Sequence, residues 1–184
     1  DFLYEEWNCQ LRERCGKEVT NKLQQARVAV AGLGGLGSNI AILLTRMGVG
    51  NLHLIDFDKV DYSNLQRQQY FVEQVGAYKT EALAETLRKI NPYVNLKLSC
   101  LEVDEENLPE LLVEDEFICE AFDKAEAKAM LVNGVLEHFP GKVIVAGSGM
   151  AGLGDGNLIQ ARRVSKSLYL CGDGVSNCEE APLY

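Results

Sequence analysis

Short apolar runs recur along the chain at Val28–Ala31, Leu52–Asp56, Val94–Leu101, Phe117–Ala121 and Val143–Ala146. Between them lie longer segments whose apolar residues return every three or four positions, at Leu36–Met47, Thr80–Ile90, Leu108–Val113 and Ala125–His138. The first pattern predicts buried strands and the second predicts helices with one apolar face. Strands that alternate with helices imply a mostly parallel sheet covered on both faces, a Rossmann-like doubly wound α/β fold. Ahead of the first strand, Tyr4–Ala26 predicts a helical lead-in, with Leu11, Val19 and Leu23 set among polar residues. From Gly147 the pattern changes to closely spaced glycines and then two strand-like runs, Leu158–Arg163 and Ser167–Cys171, which predict a C-terminal β-hairpin extension. The acidic stretch Glu102 to Glu116 reads as a solvated connection with a short helix. Three parts are expected: a lead-in over residues 1–26, a nucleotide-binding domain over 27–149, and a hairpin and tail over 150–184 belonging to the same domain.

The turn after the first strand carries the chemistry. Gly32-Leu33-Gly34-Gly35-Leu36-Gly37 joins strand to helix, and an acid, Asp56, ends the next strand 19 positions after Gly37. Glycines let the backbone approach a phosphate closely, and the following helix turns its N-terminal N–H groups and positive dipole end toward that anion. The acid matches the position of a ribose-binding carboxylate, with Asp58 as its neighbour; either could equally be a turn residue that ends the strand. A glycine fingerprint of this kind serves NAD, FAD and ATP alike. The residues beyond the second strand decide between them. Asn64 and Arg67 in Ser63-Asn64-Leu65-Gln66-Arg67-Gln68, and Lys79 in Gly76-Ala77-Tyr78-Lys79, place an amide and two permanent cations there. A pyrophosphate is served largely by backbone N–H groups, whereas a triphosphate undergoing bond cleavage needs side-chain cations, so ATP is favoured over NAD. Lys79 also stands at the start of a helix, where a cation opposes the dipole, a misfit that points to a ligand-facing role. Asp123 follows the strand Phe117–Ala121 at the carboxyl end, where open α/β sheets place their ligands; it could hold Mg²⁺ or cap the next helix.

Composition narrows the setting. A hydrophobic content of 47% with 24% charged residues is that of an ordinary globular domain, and a net charge of −9 with pI near 4.8 argues against a broad nucleic-acid footprint. No apolar run approaches the length needed to span a bilayer and the first residues do not form a signal peptide, so a cytoplasmic protein without membrane contact is expected. The six cysteines include no CxxC pair, and the two histidines are too few for a catalytic network; His53, in a strand, reads as packed. Cys100 and Cys119 read as small core residues.

The segments Gly32–Gly37, Gly48-Val-Gly-Asn-Leu52, Asp56-Phe-Asp58, Ser63–Gln68, Gly76–Lys79, Ile90-Asn-Pro92 and Ala121-Phe-Asp123 occur in an order and spacing that resembles the ThiF/MoeB family of sulfur-carrier-protein adenylyltransferases, relatives of ubiquitin-activating enzymes. The resemblance covers roughly residues 27–149, and the last third resembles the shorter ThiF-like members through Leu170-Cys-Gly-Asp173. It implies adenylation of the C-terminal glycine carboxylate of a small ubiquitin-like sulfur carrier protein ending in Gly-Gly, in thiamine biosynthesis, with ATP and Mg²⁺ as cofactors. Other acceptors within the resemblance are a molybdopterin carrier and a tRNA-linked carboxylate; outside it stand a NAD-dependent oxidoreductase and a non-catalytic binding scaffold. On this basis Arg67, Lys79 and Asp123 are catalytic, with Asp123 the Mg²⁺ ligand, and Gly32, Gly34, Gly35, Gly37, Asp56, Asp58 and Asn64 bind nucleotide with them. The resemblance also implies a homodimer in which an N-terminal arginine, Arg12 or Arg14, reaches the partner's site. Cys171 is a candidate for sulfur transfer, although Asp173 beside it disfavours a thiolate. Many relatives bind zinc through two CxxC pairs, which this chain lacks, so no zinc is expected. The ending Ala181-Pro-Leu-Tyr184 leads to the further expectation of a closing helix absent from this sequence.

Overall fold

The computed structural model describes residues 2–148 and 155–175. Five parallel strands, β1 (Arg27–Ala31), β2 (Asn51–Ile55), β3 (Asn95–Ser99), β4 (Phe117–Glu120) and β5 (Val143–Gly147), are joined by β7 (Leu168–Gly172), parallel to β5, and β6 (Gln160–Arg163), antiparallel to β7. The sheet order is β3-β2-β1-β4-β5-β7-β6. The predicted doubly wound α/β fold is therefore present, and the hairpin extends the same sheet.

Two cores follow from the alternation of side chains along each strand. Val28, Val30, Leu52 and Leu54 pack on one face against α3 (Gly35–Arg46) and α4 (Lys79–Ile90). Ala29, Ala31, Ile55, Ile118 and Ile144 pack on the other against α5 (Leu108–Leu111) and α6 (Ala125–His138). The chain changes face between β3 and β4, so β1 and β4 are adjacent strands whose connections leave in opposite directions. That is the topological switch point, where the carboxyl ends of the strands open a crevice.

The lead-in differs from a single helix. Gly16, at φ +84°, breaks it into α1 (Phe2–Cys15) and α2 (Lys17–Gln25). Leu11 of α1 lies against Gly48, where a Cβ would come within 2.7 Å of its Cδ1, and Leu23 of α2 joins the first core. Gly48 precedes β2, so α1 sits at the amino ends of the strands. β3 and α5 are shorter than expected. Asp104 ties down the acidic connection by accepting the backbone N–H groups of Glu106 and Asn107. His53 is packed, as its strand position predicts: Nδ1 lies 2.8 Å from Asp115 and Nε2 2.8 Å from Ser99. No described helix is long and apolar enough to cross a membrane.

Candidate nucleotide site at the glycine turn

In the turn after β1 two glycines, Gly32 and Gly37, leave no room for a side chain. Gly32, at φ +88°, passes so near β4 that a Cβ would stand 2.7 Å from the Ala121 carbonyl oxygen. At Gly37 a Cβ would stand 1.8 Å from the Gly32 oxygen. The α3 helix begins at Gly35, and its first intrahelical N–H, from Ser38, bonds Gly34 at 3.0 Å. The N–H groups of the opening turn have no intrahelical partner and face the crevice end of the helix, as an anion site requires.

Asp56 fastens this turn. One carboxylate oxygen accepts the Leu33 N–H at 2.7 Å and the other the Asp58 N–H at 2.8 Å. Burial, only partly offset by these bonds and by Lys79, raises its pKa above the ordinary carboxylate value. The residue is thus a turn-holder in this structure, and each of its oxygens keeps acceptor capacity beyond the N–H it binds. Tyr70 adds a second clamp by donating its hydroxyl to the Leu33 carbonyl at 2.8 Å; burial raises its pKa as well.

The segment after β2 folds back over the turn. Asp61 accepts the Ser63 N–H while Asn64 Oδ1 accepts the Asp61 N–H, a reciprocal cap that starts a short 3₁₀ turn. The Asn64 side chain is therefore partly engaged in holding its own loop, a use the sequence did not reveal. Arg67 donates to the Ser63 carbonyl at 3.1 Å, and its side-chain carbons lie 3.5–3.6 Å from where a Gly35 Cβ would be. Asn39 of α3 joins the two pieces, donating to the Gly35 and Arg67 carbonyls at 2.6 and 3.3 Å. Lys79 arrives by a different route. Backbone bonds from Val60 to Ala77, Gly76 to Val60 and Lys79 to Asp58 pair the two segments antiparallel. They set Lys79 Nζ 2.8 Å from Asp58 Oδ2. Lys79 is only 6% exposed, while the Asp58 side chain is 52% exposed.

Asp123 stands in the turn between β4 and α6 and is exposed. The N-cap of α6 is Lys124, with no side-chain cap bond, so capping the helix is not the role Asp123 plays here. Among the described residues no group of three or more metal-ligating side chains comes together. A Mg²⁺ ion prefers oxygen ligands, retains several waters, and is commonly bound by one or two carboxylates together with substrate phosphates, so a single exposed Asp123 at the crevice fits that use. Gln68, 7% exposed, brings a further polar side chain to the turn: its Oε1 has no hydrogen-bond partner among the described residues, and its amide nitrogen would lie 3.8 Å from a Gly34 Cβ. Sequence reading passed over Gln68; its place beside Arg67 in the same short motif was the available signal.

Other candidates lie elsewhere. Arg12 and Arg14 are exposed on α1, at the amino ends of the strands and away from the turn of their own chain. Cys171 is partly buried on β7, paired with Gly147 and Ala161. Cys119 is likewise partly buried, and burial pushes its thiol up to about 11, whereas Cys100, expected in the core, is exposed because β3 ends at Ser99. Cys178, Gly149 and the C-terminal Ala181–Tyr184 lie outside the described residues.

A glycine turn at the switch point of a doubly wound sheet, with an acid closing the next strand, defines a nucleotide-binding class of α/β domain. Residues 8–178 match the ThiF family, and the chain belongs to it. It is 36% identical over 111 residues to the molybdopterin-synthase adenylyltransferase of Haemophilus influenzae, covering 60% of this chain and 46% of that protein. With the Escherichia coli protein of the same name it shares 34% over 135 residues, covering 67% and 54%. The chain thus spans about half the length of these curated relatives. Among solved structures, E. coli tRNA N6-threonylcarbamoyladenosine dehydratase in complex with ATP superposes with a TM-score of 0.86, covering 96% of this chain and 84% of that one, at 22% identity. The same enzyme in complex with AMP gives 0.78 at 29% identity, covering 85% and 64%.

Proposed function

We propose that this chain is an adenylyltransferase that uses ATP to activate the C-terminal glycine carboxylate of a small ubiquitin-like sulfur carrier protein, within thiamine biosynthesis. The observation that supports the reading is the packing of the Arg67 side chain against Gly35 at the start of α3, since a cation beside that turn suits a triphosphate, whereas a dinucleotide is served largely by backbone N–H groups. The names of the related adenylyltransferases support it. In the reaction a carboxylate oxygen bonds the α-phosphorus while the bond to the bridging oxygen breaks, and its electron pair leaves with pyrophosphate. The N–H groups of α3 and the Gly34–Gly35 backbone hold the phosphates in line. Asp56 keeps that backbone in place and presents its remaining lone pairs to the ribose. Arg67 and Lys79 neutralise the charge that grows on the phosphoryl oxygens. Lys79 does so by exchanging or sharing its contact with the exposed Asp58. Asp123 would hold Mg²⁺, which when bound would supply further charge neutralisation on the phosphates.

The functional unit in this reading is a homodimer. Because Arg12 and Arg14 lie at the far end of their own sheet, a role for either at the nucleotide requires a second copy. Carrier-dependent exchange between ATP and pyrophosphate tests the activity: it should appear with a Gly-Gly-ending carrier and not be inhibited by NAD. Absence of exchange with every such carrier, or comparable affinity for NAD by calorimetry, overturns the reading. An active monomer in sedimentation at micromolar concentration removes the dimer. A tRNA-linked carboxylate is the second reading, supported by the fold similarity to the dehydratase over nearly the whole chain. The net charge of −9 weighs against it.

A further inference from the structure

Under the turn that carries Asp123 lies an ion pair, with the carboxylate buried and the Lys128 side chain 28% exposed, that the proposed adenylation does not use. Glu120, the last residue of β4, is 1% exposed, and its Oε1 accepts the Phe122 N–H at 2.7 Å. Lys128 of α6 reaches both carboxylate oxygens, at 3.2 and 3.1 Å, and also donates to the Gly147 carbonyl at 3.2 Å. One pair therefore joins three pieces: the turn at residues 121–123, the helix that follows it, and the end of β5. Burial raises the Glu120 carboxyl above its ordinary range, with Lys128 opposing the shift. A pair of apolar side chains would fill such a place at no electrostatic cost, since buried ion pairs commonly fail to outperform hydrophobic replacements of similar volume. What an apolar pair cannot do is hold a backbone N–H and a strand-end carbonyl in fixed positions. Both anchored groups border the crevice at the carboxyl ends of β4 and β5, and the anchored Phe122 immediately precedes Asp123.

We propose that Glu120 and Lys128 are positioning residues that fix the Asp123 turn for Mg²⁺, an inference that rests on the adenylyltransferase reading and on Asp123 as the metal ligand. Outer-shell partners of this kind typically change metal affinity by about 10- to 100-fold when removed. The test is ATP affinity by calorimetry, measured with Mg²⁺ and again with a chelator, on the wild type, Lys128→Met and Lys128→Arg. The wild type should bind ATP more tightly with Mg²⁺. In Lys128→Met the Mg²⁺-dependent gain should fall by about tenfold or more while metal-free binding is retained. Lys128→Arg, which can still bridge Glu120 and Gly147, should restore most of the gain. Should Lys128→Met fail to fold, Glu120→Asp carries the same comparison, because it keeps the charge but shortens the reach to Phe122 and Lys128. An unchanged Mg²⁺ gain in a folded variant overturns the proposal, as does an equal loss with and without metal, which marks a purely structural pair. A wild type that shows carrier-dependent exchange keeps the adenylyltransferase reading standing in either case.

Discussion

Replacing Lys79 with methionine separates its cost to the fold from its use in binding. Methionine keeps most of the length and apolar body of the lysine stem, so packing around a side chain that is 6% exposed changes little. The substitution removes one ion pair, at 2.8 Å, to a carboxylate whose side chain is 52% exposed. Solvent screening holds such a pair to about 0–1 kcal/mol. Against this, removing the cation from the first turn of α4 relieves a dipole conflict worth about 0.3–1 kcal/mol. It also removes the desolvation penalty of a buried ammonium group, several kcal/mol in the general case. Stability should therefore stay level or rise. Binding should move the other way. A charge-assisted hydrogen bond to a phosphate oxygen contributes about 1.5–3 kcal/mol, which corresponds to roughly 10- to 150-fold weaker ATP binding. Urea denaturation gives the first quantity and calorimetry with ATP and Mg²⁺ the second. A Lys79→Met variant that binds ATP like the wild type, or one that loses stability while binding is preserved, refutes the assignment of Lys79 to the phosphates.

Gly37→Ala forces a methyl group to within 1.8 Å of the Gly32 oxygen, so the turn must open; a loss of about 1–3 kcal/mol and of ATP binding is expected, and an unchanged unfolding midpoint contradicts the turn geometry. Asp56→Asn can accept only one of the two N–H groups now bound and leaves a buried donor facing an amide, a loss of about 1–3 kcal/mol at low pH. Because burial raises the Asp56 carboxyl, the fold favours its protonated form, and the wild type's advantage over Asp56→Asn is greatest below the unfolded carboxylate pKa of about 3.9. That advantage is lost as pH rises through the folded value; a difference that grows with pH has the opposite sign and refutes the linkage. Metal analysis of the purified protein should find no stoichiometric zinc, and Cys171→Ser should leave pyrophosphate exchange intact, with any defect confined to a later sulfur-transfer step. About one zinc per chain, or a variant inactive in exchange, contradicts this.

The five core strands and the glycine turn were legible because each is a local signal: a short apolar run, or a fingerprint in which spacing alone conveys the backbone's path. Lys79 stands out in the sequence by type and position, yet its ion pair with Asp58 does not. That pair exists because residues 58–60 run antiparallel to 76–79, a backbone register for which the sequence offers no periodicity. Glu120 and Lys128 were missed for a related reason. They are eight positions apart, one on a strand and one on a helix, and neither the period of two nor that of 3.6 relates them. The His53–Asp115 contact joins residues 62 apart, so only the conclusion that His53 is packed could be drawn in advance. Gly16, which divides the lead-in, reads as a tolerable helix interior until its φ of +84° is known. The contacts left unread are all set by topology. The Asp58–Lys79 and Glu120–Lys128 pairs lie at the carboxyl ends of β2 and β4, where strands end and loops must carry their own hydrogen bonds. At those ends the polar groups that leave the sheet need other partners, and Asp56, Glu120 and Lys128 supply them. The glycine turn is therefore held by side chains engaged with its backbone, which is the condition for binding phosphates without first reorganising the turn.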